Sequence, residues 1–276
     1  MSIPFSLNDP VFRSLLLPFA ASIFAIAVIR VLLGEGRGAI LSNAGIGIGI
    51  LTGMLAIFGW PGWPADDIVG KAAWLVLAGI AVGVATDRFQ LALPFAMLLL
   101  ISWPVLTLLW FIAPELSHLI SGAAFIRLGG LIIGAVILFV RLDQEQDHGQ
   151  HAPLLLLWCG VALGGMAYVY DLGRVAELAA VVAASVAGYL VWNVPVTRYP
   201  IGHAAILSAG TTLIALATAL IALHDGADVG LMLVVAILFA ERIAALVMRR
   251  PPTMLTLNVG AGVPAALAVL AAYLTK

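Results

Sequence analysis

Charge is scarce in this 276-residue chain: 13 Lys and Arg with 14 Asp and Glu make up only 10% of it. A water-soluble domain carries roughly 25% charged residues, because its surface has to be wetted. So few charges cannot cover a chain of this length, and lipid has to be the solvent for most of the outside. Balanced charge is a second absence. A net charge of −1 creates no field that would gather nucleic acid, and no nucleic-acid partner is expected. The lone cysteine, Cys159, excludes an intrachain disulfide and reads as a buried thiol in the run LLLLWCGVAL.

Catalytic signatures are missing as well. The chain has no glycine-rich phosphate loop followed by Lys, no GxSxG elbow, no HExxH pair and no aspartate-rich run. No catalytic residue is assigned, nothing marks the chain as an enzyme, and the sequence names no cofactor.

What is abundant is apolar sequence: 63% of residues, in nearly continuous runs that leave no room for a sizeable soluble domain. A membrane span needs about 20 mainly apolar residues. Ten candidates emerge, at 12–33, 39–60, 69–86, 91–113, 120–141, 152–170, 174–193, 201–223, 228–248 and 254–274. The runs do not alternate with period two, so a barrel is rejected. The expected fold is a single all-α transmembrane domain, a polytopic helical bundle.

Turn signals separate the spans at Gly34 to Gly38, Pro61 to Asp67, Asp87-Arg88, Pro114-Glu115, Asp143 to Gly149, Asp171 to Gly173, Pro195 to Pro200, His224 to Asp228 and Arg249 to Pro252. Pro18, Pro94, Pro104 and Pro264 fall inside spans as candidate kinks. The stretch after Arg13 is too long for a signal-peptide core and reads as a permanent span.

Loops after odd-numbered spans hold or border Arg30, Arg37, Arg88, Arg141, Arg198, Arg249 and Arg250; the other side has Arg13, Lys71, Arg174 and Lys276. The positive-inside rule then puts both termini outside the cytoplasm, with a bacterial inner membrane as the expected location. Trp60 and Trp63 suit the headgroup belt on the outer side, beside Asp66 and Asp67.

Glycines recur at four-residue spacing: Gly45, Gly49 and Gly53, then Gly79/Gly83, Gly130/Gly134 and Gly160/Gly164. Such stripes let helix backbones approach closely, within the chain or against another membrane subunit or a second copy.

Ionisable residues at membrane depth are costly and therefore informative. Glu241 lies 13 residues into its span, roughly 20 Å along a helix. It needs a partner, a proton or water, whereas its neighbour Arg242 can stretch toward the headgroups. Asn258, Asn43 and His203 fall at similar depth on the same side, with Ser208, Thr211 and Thr212 following. Glu241, Arg242, Asn258, Asn43 and His203 are the expected substrate or proton pathway.

The 143–151 connection, with Asp143, Glu145, Asp147, His148 and His151, reads as a solvated loop rather than a metal site. Arg127 reads as an interfacial anchor. His118 and His203 fall on opposite sides, which disfavours a membrane haem.

The sequence thus points to a small-solute or ion-coupled transporter. The alternatives are a non-catalytic membrane subunit or assembly factor, and an intramembrane enzyme acting on lipid.

Overall fold

The computed structural model describes residues 9–90, 92–112, 122–248 and 253–276; Pro114-Glu115, His118 and Arg249 to Pro252 lie outside them. Among the described residues there is no strand, and the chain folds as an all-α bundle.

Helix α1 (Leu17–Leu41) is entered through a π-helical turn at Phe12–Leu16 and breaks at Gly34, where φ is 76°. That angle suits glycine, which has no Cβ to clash. Residues 39–41, expected to open the second span, belong instead to the short helical piece beyond this break. The second span, α2 (Ala44–Phe58), is only 15 residues long. Helix α3 (Ile68–Phe89) runs straight through Asp87-Arg88, and the turn falls at Gln90, whose φ is 48°. In α4 (Leu93–Ile112) Pro94 sits in the first turn, where no N–H is needed, so Pro104 is its interior proline.

The rest are α5 (Gly122–Gln144), α6 (His151–Val169), α7 (Gly173–Asn193), α8 (His203–Leu223), α9 (Ala227–Ile237), α10 (Ala240–Met248) and α11 (Met254–Thr275). The segment expected as one span over 228–248 is therefore two helices with a break at Leu238 and Phe239. Among the described residues eight helices are long and apolar enough to cross a membrane, and α2 and α9 add shorter apolar segments. The protein is an integral membrane protein.

Successive helices run up and down. Asn43, Asp87, Asp143 and His203 meet at one end of the bundle, here the network end. Arg127 meets Asp225, and Lys276 meets Asp171, at the other end, which carries the C-terminus. Helix α8 is the hub, packed on α2, α3, α4, α5, α6 and α7. Its Ser208, Thr212 and Thr218 hydroxyls donate to carbonyls four residues back. Thr211 accepts from Trp103 Nε1 at 2.9 Å. The first three are used up locally along α8 and Thr211 by Trp103 of α4, so they do not extend a polar layer into the bundle.

Three of the four glycine stripes are close-packed inside the chain. A Cβ at Gly49 would strike the Pro18 carbonyl oxygen, one at Gly83 the Ala204 backbone, and one at Gly160 would press on Ala183. The fourth behaves differently. Among the described residues a Cβ on Gly130 would meet nothing within 4 Å, and one on Gly134 only Val235 Cγ2, at 3.5 Å. The expected packing stripe on α5 lines open space.

Candidate functional site

At the network end the last turn of α5 and the residues just after it supply two adjoining polar clusters. In the first, the Arg141 guanidinium is buried beside the α9–α10 break. Its Nε donates to the Leu238 carbonyl at 3.2 Å, one of the backbone acceptors that the interrupted helix leaves free. Its Nη1 donates to Gln144 at 2.7 Å, and its Nη2 to Glu145 at 2.7 Å and to Glu241 at 3.3 Å. The His151 ring nitrogen Nδ1 lies 3.2 Å from the other Glu145 oxygen.

Glu145 is 3% exposed. The expectation of a solvated 143–151 loop therefore fails at this residue: α5 carries Arg141 to the bundle's edge, and the i, i+4 carboxylate folds back over it. Burial by itself would raise the Glu145 carboxyl. The neighbouring Glu241 carboxyl, the His151 ring and the Arg141 charge together outweigh burial and leave it below the ordinary glutamate range. Two carboxyls thus share one guanidinium.

In the second cluster Asp87, from the end of α3, caps the start of α8. Its carboxylate accepts the backbone N–H of His203 at 2.9 Å and of Ala204 at 3.3 Å, plus Asn43 Nδ2 at 3.1 Å. Asn43 Oδ1 takes the Ala205 N–H at 3.0 Å. Helix starts leave such donors unpaired and favour negative charge, so both side chains are doing capping chemistry. The His203 ring then bridges two carboxylates, with Nδ1 2.8 Å from Asp87 and Nε2 3.6 Å from Asp143.

Of the five expected pathway residues, Asn43 and His203 meet through Asp87, and Glu241 joins Arg141. Arg242 is exposed. Asn258 lies elsewhere, accepting from Trp158 Nε1 at 3.0 Å and donating to the Met254 carbonyl at 2.8 Å. Sequence reasoning passed over Arg141, Asp87, Asp143 and Glu145. The one available signal was the Arg141/Glu145 spacing, which continues a helical face into the supposed loop.

Beyond the break lies a cavity of about 390 Å³ between α5, α6, α8 and α9. Its walls are almost wholly aliphatic, with Cys159 and Leu213 on the inner side and Gly130 and Gly134 forming a trough in α5. Leu238, the residue held by Arg141, lies at one end. Arg127 and Asp228 lie at the other, where Arg127 also pairs with Asp225. Among the described residues no group of three or more His, Cys, Asp or Glu is placed to hold a metal ion. Comparison with models of known protein families gives no match, and neither does comparison with curated proteins.

Proposed function

We propose that this membrane protein is an ion-coupled transporter, with Glu241, Arg141 and Glu145 as its coupling site. One observation carries the reading. The break between α9 and α10 is at once an end of the cavity and the acceptor for a guanidinium that two carboxyls share. Discontinuous helices recur where transporters bind substrates and ions, because freed backbone groups and helix ends face a cavity there. Protonating or deprotonating either carboxyl changes the hold on Arg141, and through it the hold on Leu238. Asn43, His203 and Asp87 brace the same end, while Arg242 and Asn258 flank the moving segment.

The arginine distribution supports placing the network end on the cytoplasmic side of a bacterial inner membrane, with both termini outside. Arg141 and Lys71 are buried and drop out of that count, one from each side, so the bias survives. Three glycine stripes are occupied within the chain, which leaves less of them for other membrane subunits or a second copy.

The test uses proteoliposomes loaded with a pH-sensitive dye and challenged with amino acids, sugars and amines. At least one class drives protein-dependent proton movement, and Glu241→Gln abolishes it. A well-folded Glu241→Gln protein with unchanged coupled movement removes the coupling site. Silence across the panel, with a fixed stoichiometric partner in native extracts, favours a non-catalytic subunit instead.

A further inference from the structure

We propose that the cavity between α5 and α9 binds a single-chain amphiphilic cation, its charged head at Asp228 and its chain running toward Leu238. The lining selects an apolar body. Among the described residues its only charged members are Arg127 and Asp228, and no polar side chain further along could satisfy a hydroxyl or amide. The volume lies within the roughly 300–1,000 Å³ typical of small-molecule sites. Asp228 and Leu238 are ten residues apart, which spans roughly 15 Å of helix, the reach of an alkyl chain of about a dozen carbons. Ile126 and Met232 at the rim are 76% and 74% exposed, so the mouth opens on the flank of the bundle, where an amphiphile would arrive through lipid.

Charge selects a cationic head. Two carboxylates, Asp225 and Asp228, face one guanidinium. Arg127 is committed mainly to Asp225, donating from Nη1 to the carboxylate at 2.9 Å and from Nη2 to the backbone carbonyl at 3.3 Å. Asp228 receives a single approach, from Arg127 Nε at 3.2 Å. Asp225 does not line the cavity; Asp228 does. The nearby His224 ring is engaged elsewhere, stacked on Tyr170 at 3.8 Å with Nδ1 accepting the Gly226 N–H. Among the described residues these three groups carry a net charge of −1, and Asp228 is the carboxylate of the pair that lines the cavity. An anionic head would be repelled there, and a neutral one would leave the charge unmatched.

The proposal names a substrate class for the transport reading and rests on that reading only in calling the ligand a substrate. The test is saturation binding of radiolabelled dodecyltrimethylammonium to the full-length protein in lipid nanodiscs, with dodecanoate and dodecyl maltoside as competitors. We expect saturable binding near one per chain, weakened at least tenfold by Asp228→Asn and restored by Asp228→Glu. Gly134→Leu and Gly130→Leu, which fill the trough, should abolish it while leaving the melting temperature within a few degrees of the parent. Neither competitor should displace the cation. Non-saturable partitioning alone, equal competition by dodecanoate, or unchanged affinity in Asp228→Asn overturns the proposal. Saturable binding by the parent protein, with no substrate class driving proton movement in proteoliposomes, counts against the transport reading and not against this site.

Discussion

Arg141 Nε lies 3.2 Å from the carbonyl oxygen of Leu238, where α9 gives way to α10. The pairing ties the end of one span to the middle of another. It explains how a helix can be interrupted in an apolar bundle: the carbonyl that lost its helical donor finds a charged one. The same guanidinium donates to both Glu145 and Glu241, so one residue supports both the backbone break and the two acids.

Removing that residue should be costly. Arg141→Leu leaves the Glu145 charge and the Leu238 carbonyl without their donor, and breaking a buried pair from one side costs about 3–5 kcal/mol. The expected outcome is a large drop in the detergent-solubilised melting temperature. Arg242→Gln, on an exposed neighbour of Glu241, should change stability by no more than about 0.5 kcal/mol. Equal losses in the two variants would remove the buried cluster.

Asp87 should behave as a cap shared between helices. Asp87→Ala frees the backbone donors of His203 and Ala204 together with Asn43 Nδ2, and losing a cap alone costs about 1–2 kcal/mol. Asp87→Asn keeps an acceptor and should recover part of the loss. Thermal unfolding of both variants checks this, and an alanine variant as stable as the parent would contradict it.

Acid should weaken the protein through Glu145. Because its folded-state pKa is depressed, its contribution is fully present above the ordinary glutamate value and disappears as pH falls through the lowered one. The melting temperature should hold from neutral pH to about 5 and decline below about 4. Glu145→Gln should show a shallower acid-side decline; an identical slope would assign it to other carboxyls.

Glycine substitutions should split by location. Gly83→Ala drives a Cβ into the Ala204 backbone, and overpacking of this kind costs about 1–3 kcal/mol or more. Gly130→Ala meets open space and should be neutral, or stabilising by up to about 1 kcal/mol from helix propensity. Melting temperatures of the two single variants decide the matter.

The sequence alone determined that the chain is an all-α membrane bundle, because charge scarcity and unbroken apolar runs allow no other way to satisfy the backbone. It also picked out Glu241, since a carboxylate so far along an apolar run demands a partner. Composition says nothing about which helices become neighbours, so the identity of that partner was not legible. Arg141 reads as a topology charge and Glu145 as a loop acid until α5 is packed beside α9 and α10. The two halves of the Gly130/Gly134 and Gly160/Gly164 comparison carry the same spacing, yet one lines a cavity and the other a helix contact. Only the tertiary structure decides that, because close approach belongs to a pair of surfaces and a one-dimensional pattern describes only one of them.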